Sequence, residues 1–577
     1  MCGILFCCER TQCPDEESNK PFEVLFRELQ AANTLRGPDA QNLLSTTVEN
    51  VHMRFFASEL RLRGTKDVFQ PHTNSSGNIL CWNGEIFEGI DVSLEENDGA
   101  KLFALLQTTQ TIEDVRDLLG RIEGPYGIVY YHKALNKVFF ARDPLGRRSL
   151  LLHKANKANP RILLTSVSIG VHPLYNLEEV STQEIYFLDI ADIGKEDLEH
   201  HIRIQSIPRV DPSSRLEFAA PSQVDRSLPP DMPLVEGLDN VPEHLLAPVD
   251  DFIHHLDRSV KLRVQNVPEN QGNARVAVLF SGGIDSTMLA FLAHRHVPAN
   301  EPIDLLNVAF ENPRKILVKA EGNLEALPRR EKKLKKKDRL DYSKIDVTYD
   351  VPDRLTGRQE VEELRRLCPG RIWNFVEVNV PYEESQNARA KVEALMFPGR
   401  TVMDLSLAVA LYFAVRGIGQ IRADSQAEPR AYTSSARVVL NGLGSDELLG
   451  GYGRFRTAFK AGGWQAIIDE LQLEIDRIPT RNLGRDDRVI SSHGKETRHP
   501  FLSLSVVSFL AQLPVHLKLD PRLPPGLGEK MLLRLAARKV GLIEASARKK
   551  RAMQFGSHSA RMGVGDGDRK GDLILES

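Results

Sequence analysis

Apolar runs bounded by polar turns divide the chain into two halves with different predicted architectures. In the front half, residues 79–82 are typical of a buried strand, and residues 126–131 and 137–140 form a pair of strands. In the back half, five consecutive apolar residues at 276–280 precede a glycine-rich turn and a segment of helical spacing. This order of motifs predicts an α/β fold. We expect an antiparallel sandwich of two sheets between helices, followed by a parallel sheet flanked by helices.

Composition sets limits on the class of protein. A chain of 577 residues with 41% apolar residues is long enough for two or more domains with real cores. Its formal net charge of −3 does not favour nucleic acid as a partner, and no apolar stretch is long enough for a membrane span. The first residues do not resemble a secretion signal, so a cytoplasmic location is expected. Six cysteines fit reduced thiols, and we interpret Cys7, Cys8 and Cys13 as structural rather than metal-binding.

Shifts in composition predict the domain boundaries. Residues 2–205 are expected to form the first domain, and residues 206–245, rich in proline, serine and aspartate, a linker or a surface strap. Residues 246–560 would form the second domain. Within it, residues 311–346 carry a basic run that is typical of a disordered insertion, with nuclear import or RNA binding as the alternative. Residues 561–577 are expected to form a loose tail. The sequence does not indicate an oligomeric state.

Cys2 is the first candidate for chemistry. If Met1 is removed, one residue carries both a thiol and a free α-amino group, and the amine can take the thiol proton directly or through water. Such a residue needs no separate histidine to become a nucleophile. The alternative is an inert cysteine near the start of the chain.

Asn83 and Gly84 follow the apolar run at 79–82 and are expected where that strand turns. A side-chain amide and a backbone N–H at this position could form an oxyanion hole for attack on a carboxamide. The alternative is an ordinary Asn-Gly hairpin turn.

Several short motifs occur in the order found in one enzyme family. They are C-G-I at residues 2–4, R-G-P-D at 36–39, N-G-E-I-F at 83–87, Asn97-Asp98 and R-D-P-L-G at 142–146. Together they resemble the class II glutamine amidotransferase domain, which has the αββα sandwich of N-terminal nucleophile hydrolases. The resemblance implies that glutamine is hydrolysed by this half of the chain.

The same resemblance implies roles for individual residues. Cys2 would attack the glutamine side chain while Asn83 and Gly84 hold the oxyanion, and Asp98 would bind the α-ammonium group. Glu85 belongs to the implied glutamine-binding set. An arginine would hold the glutamine carboxylate. The family pattern falls best on Arg61, but Arg63 lies two residues further, on the same face if this segment is a strand.

The sharpest motif is S-G-G-I-D-S at residues 281–286. It follows a strand and precedes a helix, so that backbone N–H groups, two hydroxyls and the helix dipole could bind an anion. A Walker A loop would need a different spacing and a lysine. The motif instead resembles the PP-loop of ATP pyrophosphatases, which cleave ATP between its α and β phosphates. The implied ATP-binding residues are Leu279, Ser281, Gly282, Gly283, Asp285, Ser286 and Gly442.

A second strand, at residues 438–440, runs into a glycine-rich turn that carries Asp446. Asp285 and Asp446 would then follow neighbouring parallel strands and could converge on one Mg²⁺. Later motifs resemble the synthetase domain of asparagine synthetases, in which a lysine of a K-x-x-L-R helix supports adenylate chemistry. By position this lysine is Lys530, and its alternative is a solvated helix face.

The whole chain resembles the asparagine synthetase domain-containing protein family. The motifs that carry this likeness are W-N-G-E-I-F at 82–87, V-P-D-R-L-T-G-R at 351–358, R-I-W-N-F-V-E at 371–377 and K-R-A-M-Q-F-G at 550–556. The resemblance implies that glutamine, aspartate and ATP are substrates, with Mg²⁺ as the metal. The implied reaction is glutamine-dependent conversion of aspartate to asparagine through a β-aspartyl adenylate.

One position departs from the asparagine synthetase pattern. Related synthetases usually read G-E-G-S-D-E, whereas residues 442–447 read G-L-G-S-D-E, with Leu443 in place of the glutamate. If that glutamate deprotonates ammonia, its loss would cost about 10²- to 10⁴-fold in rate. A catalytically impaired protein with a binding or regulatory role is therefore the alternative function.

Overall fold

The computed structural model describes residues 2–11, 16–157, 159–193, 202–213, 216–231, 234–235, 237–239, 241–311, 348–424, 426–561 and 574. The basic run predicted within 311–346, Cys13 and most of the predicted tail lie outside these described residues.

Two six-stranded sheets form the front half, and their neighbouring strands are antiparallel. The first contains, in spatial order, β10 (Glu178–Glu179), β8 (Leu151–His153), β9 (Ile162–Thr165), β1 (Gly3–Arg10), β3 (Val51–Glu59) and β2 (Ala40–Val48). The second contains β12 (Ile204–Pro208), β11 (Glu184–Asp189), β7 (Lys137–Arg142), β6 (Tyr126–His132), β5 (Ile79–Gly84) and β4 (His72–Thr73). The helices of this half are α1 (Glu16–Thr34), α2 (Asp98–Leu106), α3 (Ile112–Leu119) and α4 (Ile190–Ile193).

Three buried clusters give the order of these layers. The inner cluster joins side chains of both sheets, such as Phe55 of β3 and Val129 of β6. A second cluster packs α1 on the outer face of the first sheet through Leu25. A third packs α2 and α3 on the outer face of the second sheet and includes Leu102 and Leu119. The front half is therefore layered helix, sheet, sheet, helix, because each sheet has two apolar faces to bury.

A seven-stranded sheet forms the centre of the back half. Its spatial order is β17 (Arg430–Thr433), β16 (Ile418–Ile421), β15 (Trp373–Val380), β14 (Ile303–Phe310), β13 (Val276–Leu279), β18 (Val438–Leu440) and β19 (Glu496–Arg498). Five neighbouring strands are parallel, namely β15, β14, β13, β18 and β19. Strands β16 and β17 form an antiparallel edge next to β15. Val276 and Val278 enter one core while Ala277 and Leu279 enter the other, which explains the continuous apolar run.

Helices cover both faces of this sheet. They are α5 (Glu243–Val264), α6 (Ile284–His294), α7 (Pro352–Leu367), α8 (Tyr382–Met396), α9 (Val402–Arg416), α10 (Ser445–Leu448), α11 (Gly453–Arg477), α12 (Leu483–Ser491), α13 (Leu504–Gln512), α14 (Val515–Lys518), α15 (Met531–Lys539), α16 (Ile543–Ser546) and α17 (Met553–Gly556). The α/β class predicted from the sequence is thus confirmed. Among the described residues, no helix is long and apolar enough to cross a membrane.

The segment predicted as a linker contacts both halves where it is described. Strand β12 extends the second sheet as far as Pro208. Further on, Val224 enters the back-half core and its N–H donates to Gln472 Oε1 at 2.8 Å, while Asp225 N donates to Ala511 O at 2.8 Å. These contacts attach the segment to both halves, and the linker and the domain boundaries remain predictions.

Buried ion pairs join the two halves. Arg36 Nη2 lies 2.8 Å from Asp487 Oδ2, and both side chains are fully buried. Arg148 lies beside the same aspartate and also contacts Glu496 Oε2 at 3.0 Å. Burial alone would raise the pKa of Asp487, but Arg36 and Arg148 lower it below the ordinary value. The carboxylate is therefore charged, and losing either arginine would leave it only partly compensated.

Candidate active sites

Cys2 lies immediately before β1 and is 9% exposed. Its backbone N donates to Asn83 Oδ1 at 3.0 Å, and its carbonyl accepts from Arg36 Nε at 3.1 Å. These two contacts come from different parts of the front half. They hold both ends of the residue, so that the position of the thiol is defined by the surrounding fold.

The Cys2 sulfur has a polar neighbour of its own. Gln70 Nε2 donates to Cys2 Sγ at 3.5 Å, and Gln70 Oε1 accepts from Trp82 N at 2.7 Å. Burial raises the pKa of the Cys2 thiol, and this effect outweighs the opposing effects of the amino-terminal charge and of the hydrogen bond with the Leu60 backbone. The thiol is therefore protonated at rest, and it needs a base before it can attack.

Asn83 and Gly84 end β5 and do not form the hairpin turn that was the alternative to an oxyanion hole. Both pair with β6, Asn83 opposite Gly127 and Gly84 opposite Tyr126, because the ladder continues through them. Asn83 Nδ2 is buried and has no hydrogen-bond partner in the described part of the chain. A Cβ at Gly84 would lie 2.5 Å from the Trp82 ring, so only glycine fits. Beside Cys2 there is thus an unused amide donor.

The two candidate arginines have different surroundings. Neither lies on a strand, since β3 ends at Glu59. Arg61 is 29% exposed and pairs with Glu59 at 3.2 Å and with Asp67 at 2.7 Å. Arg63 is 7% exposed, and its Nε donates to Glu85 Oε2 at 2.7 Å. The structure therefore places Arg63, and not Arg61, against the predicted glutamine-binding residue Glu85.

Asp98 is the first residue of α2 and is buried. Its carboxylate accepts from Ile86 N at 3.0 Å and from Gly99 N at 2.9 Å. Burial raises the pKa of Asp98 to about 7, and Glu85 adds to this effect while Arg63 opposes it. A cationic ligand beside Asp98 would favour the ionised form, as expected of a group that binds an ammonium.

The predicted anion loop follows β13 and leads directly into α6, which begins at Ile284. Gly282 has a φ of +75°, and a Cβ there would lie 2.6 Å from Gly357 N of α7. Glycine is therefore required both by the backbone conformation and by the close approach of α7. Ser286 Oγ donates to Gly283 O at 3.1 Å, and Ser281 Oγ accepts from Gly283 N at 3.3 Å.

A cavity of about 330 Å³ opens above this loop, a size typical of small-molecule sites. We call it the loop cavity. Most of the predicted ATP and metal residues line it, namely Leu279, Ser281, Gly283, Asp285, Ser286, Gly442, Asp446 and Lys530. Gly282 instead faces α7.

Lys530 precedes α15 in a left-handed conformation with a φ of +55°, and its side chain is only 3% exposed. It therefore does not lie on a solvated helix face. Its Nζ lies 2.7 Å from Asp285 Oδ2 and 2.7 Å from Asp446 Oδ1. Although burial lowers the pKa of Lys530, the two aspartates raise it above the ordinary value. The lysine is thus charged and bridges the two carboxylates.

The same two carboxylates are the predicted metal ligands. Carboxylate oxygens suit Mg²⁺, which is commonly held by one or two carboxylates together with substrate phosphates. The described residues contain no group of three or more His, Cys, Asp or Glu side chains that could hold a metal. The donor set therefore fits a metal that is bound together with phosphates. It does not fit an all-protein metal cage.

A direct chain of contacts runs from the loop cavity to the front half. Asn441, at the cavity wall, donates through its N–H to Arg498 O of β19 at 2.9 Å. The Arg498 side chain donates to Glu496 Oε1 at 2.6 Å and to Glu85 Oε1 at 3.2 Å. Strand β19 therefore contacts both candidate sites.

Comparison with known proteins finds matches in both halves of the chain. The Asparagine synthase family model matches residues 252–331 and 459–566. Asparagine synthetase domain-containing protein 1 of Gallus gallus is 37% identical over 635 aligned residues, covering 97% of this chain and 97% of the relative. The Homo sapiens protein of the same name is 37% identical over 634, covering 97% and 95%. The chain belongs to the asparagine synthetase domain-containing protein family.

A more distant relative links this family to synthetases. Putative asparagine synthetase (glutamine-hydrolyzing) 1 of Methanocaldococcus jannaschii is 23% identical over 460 residues, covering 78% of this chain and 68% of the relative. The two vertebrate relatives confirm the resemblance to the asparagine synthetase domain-containing protein family that the sequence predicted. The alignments to the two vertebrate members of the family extend over nearly the whole chain and therefore include most of both halves.

Sequence reasoning assigned no role to three residues that contact the candidate sites, namely Arg36, Lys550 and Gln70. Arg36 lies in the R-G-P-D motif and Lys550 in the K-R-A-M-Q-F-G motif, so motifs had marked both without assigning roles. Gln70 had no sequence signal. Lys550 Nζ lies 2.9 Å from Asp446 Oδ2 and above the Tyr452 ring, 3.7 Å from its centroid. Asp446 therefore faces two ammonium groups.

Leu443 marks the departure from the synthetase pattern. It is partly buried and packs against the back-half core, while its N–H donates to Asn441 Oδ1 at 3.1 Å. It is not among the residues that line the loop cavity. Leu443 thus contributes packing where the related synthetases carry a carboxylate.

Proposed function

We propose that this family member is an ATP-dependent, glutamine-hydrolysing amidotransferase that converts aspartate to asparagine. The observation that carries the proposal is the contact between Cys2 N and Asn83 Oδ1 at 3.0 Å. It orients a buried amide with an unused N–H donor beside a thiol. The loop cavity in the same chain supplies a second site, and the link to a putative glutamine-hydrolyzing synthetase supports the pairing of the two.

In the front half, removal of Met1 would leave Cys2 with a free amine. The amine accepts the thiol proton, and Cys2 Sγ attacks the carbon of the glutamine carboxamide. Asn83 Nδ2 and the Gly84 N–H hold the oxyanion. The C–N bond then breaks, ammonia leaves with the proton returned by the amine, and water hydrolyses the thioester to glutamate. Asp98 would bind the α-ammonium of glutamine, and Arg63 is the better placed of the two arginines for its carboxylate.

We infer that the front half is an αββα sandwich and that the back half is a PP-loop domain. In the back half, the triphosphate of ATP would lie on the 281–286 loop. The aspartate side-chain carboxylate attacks the α-phosphorus, and pyrophosphate leaves. Ammonia then attacks the carbonyl carbon of the β-aspartyl adenylate, AMP leaves as the C–O bond breaks, and the nitrogen loses a proton to solvent. Lys530 neutralises the charge that develops on the phosphate oxygens. Asp285 and Asp446 would hold Mg²⁺, which neutralises the phosphate oxygens when bound.

The direct test measures products of the full-length protein. With aspartate, ATP and either glutamine or ammonia, we expect asparagine, AMP and pyrophosphate, and with glutamine also glutamate. Cys2→Ala should abolish the glutamine-dependent reaction and leave the ammonia-dependent one. Cys368→Ala serves as the control, because Cys368 is buried among back-half residues. Absence of asparagine with both nitrogen donors would contradict the proposal.

A second candidate function is a catalytically impaired protein that binds ligands or a partner. Leu443 favours it, because this residue cannot accept a proton from ammonia. Under this alternative, Leu443→Glu should raise a weak wild-type rate of asparagine formation by about 10²-fold or more. A robust wild-type rate that the substitution leaves unchanged would exclude it.

A further inference from the structure

Two oppositely charged side chains share one wall of the loop cavity. Asp353 lies in the first turn of α7, and Arg551 lies just before α17. Both line the cavity. Arg551 Nη1 is 4.0 Å from Asp353 Oδ1, which is too long for a hydrogen bond. The two charges are therefore adjacent but incompletely paired.

The Asp353 carboxylate is held in place by packing. A Cβ at Gly556 would lie 1.9 Å from Asp353 Oδ1, so the carboxylate lies directly against the backbone of α17. Its side chain is 8% exposed, whereas that of Arg551 is 49% exposed. Burial raises the pKa of Asp353 to about 7, and Arg551 lowers it only in part. A buried carboxylate of this kind gains stability from a cationic ligand.

The pair lies close to the predicted reacting groups. Gly357, one turn further along α7, contacts Gly282 of the anion loop. On the other side, Lys550 is the chain neighbour of Arg551 and reaches Asp446 Oδ2 at 2.9 Å. The Asp353–Arg551 pair thus lines the same cavity as the anion loop and Lys530.

An α-amino acid carries an ammonium and a carboxylate on one carbon. A receptor for it needs an anion and a cation side by side, each with charge to spare. We propose that Asp353 and Arg551 recognise the α-ammonium and the α-carboxylate of the acceptor amino acid, and so leave its side-chain carboxylate free to face the anion loop. This inference rests on the proposed function, since it names the acceptor subsite of the same cavity.

The test compares three ligands of the full-length protein by calorimetry, in the presence of a non-hydrolysable ATP analogue. L-aspartate carries both α groups, succinate lacks the ammonium, and β-alanine lacks the α-carboxylate. We expect the wild-type protein to bind aspartate at least about tenfold more tightly than either analogue, because each lost contact is charge-assisted.

Each variant should remove one discrimination. Asp353→Asn should abolish the preference for aspartate over succinate, and Arg551→Gln the preference for aspartate over β-alanine. Asp350→Asn and Arg366→Gln remove the same charges from exposed positions outside the cavity and should retain both preferences. Arg551 is half exposed, so its variant tests the proposal even if Asp353→Asn fails to fold.

The outcomes separate this inference from the proposed function. Failure of the wild-type protein to bind the ATP analogue would overturn both. Binding of the analogue without aspartate binding, or variants that keep wild-type preferences, would overturn the acceptor subsite alone. A loss of nucleotide affinity in Asp353→Asn equal to its loss of aspartate affinity would assign Asp353 to the nucleotide and also overturn it. Discrimination that depends on both residues, without asparagine formation, would support the subsite and contradict the proposed reaction.

Discussion

Arg498 of β19 donates a hydrogen bond to Glu85 Oε1 at 3.2 Å, and this contact joins the back-half sheet to the front-half candidate site. Both side chains are buried, and Glu85 also pairs with Arg63. A buried ion pair contributes little net stability, but removing one partner is expensive because the other charge is left uncompensated. The contact therefore makes the two halves depend on each other.

Arg498→Met should lower the free energy of unfolding by about 3–5 kcal/mol, because Glu85 and Glu496 each lose a buried cation. Urea titration followed by fluorescence measures this change. Arg366→Met is the matched control. Its side chain is 60% exposed, so the same substitution there should cost less than about 1 kcal/mol. Equal effects at the two positions would contradict a buried network between the halves.

Asn83→Ala should lower kcat for glutamine hydrolysis by about 10²- to 10³-fold, because it removes one donor to the oxyanion. Ammonia-dependent synthesis should not change. Steady-state glutamate release measures the effect. Asn78→Ala is a suitable control, since Asn78 precedes the same strand but accepts from Lys133 N, away from Cys2. A kcat within a few-fold of the wild-type value would exclude Asn83 as an oxyanion donor.

Glutamine hydrolysis should weaken on the acid side of pH 7 through Asp98. Burial raises the pKa of this carboxyl to about 7, so it gains a proton as the pH falls through that value. The protonated form cannot pair with the α-ammonium of glutamine, and KM should therefore rise toward low pH. Initial rates over a pH series measure this. In Asp98→Asn, KM should be high throughout and the acid-side rise should be absent; a rise that persists there belongs to another group.

Asp285→Asn should weaken the binding of Mg²⁺-ATP, because Asp285 belongs to both the predicted ATP-binding set and the predicted metal-binding set. Uncoupled glutamine hydrolysis should stay near the wild-type rate, since Asp285 does not contact the front half in any described hydrogen bond or ion pair. Equilibrium binding of labelled ATP measures the change, with Asp350→Asn as the control. Unaltered nucleotide affinity would remove Asp285 from the site.

Sequence patterns predicted the features that depend on near neighbours. The run at 276–280 alternates between two buried faces, and its continuous apolar character is what indicates a strand of a sheet covered on both sides. Gly282 and Gly283 indicated a tight turn ahead of a helix, because adjacent glycines between a strand and a helical segment allow such a turn. The fold class and the family followed from such segments because motif order and local spacing are properties of the chain itself.

Only the tertiary structure decided which distant residues meet. It placed Arg63 and not Arg61 against Glu85, and it set Lys530 between Asp285 and Asp446. These partners are separated by long stretches of chain, and no periodicity encodes their pairing. The sequence by itself determined the local elements and the chemical groups that they carry. Tertiary packing decided which charged groups pair, because a buried charge is costly unless packing places an opposite charge beside it.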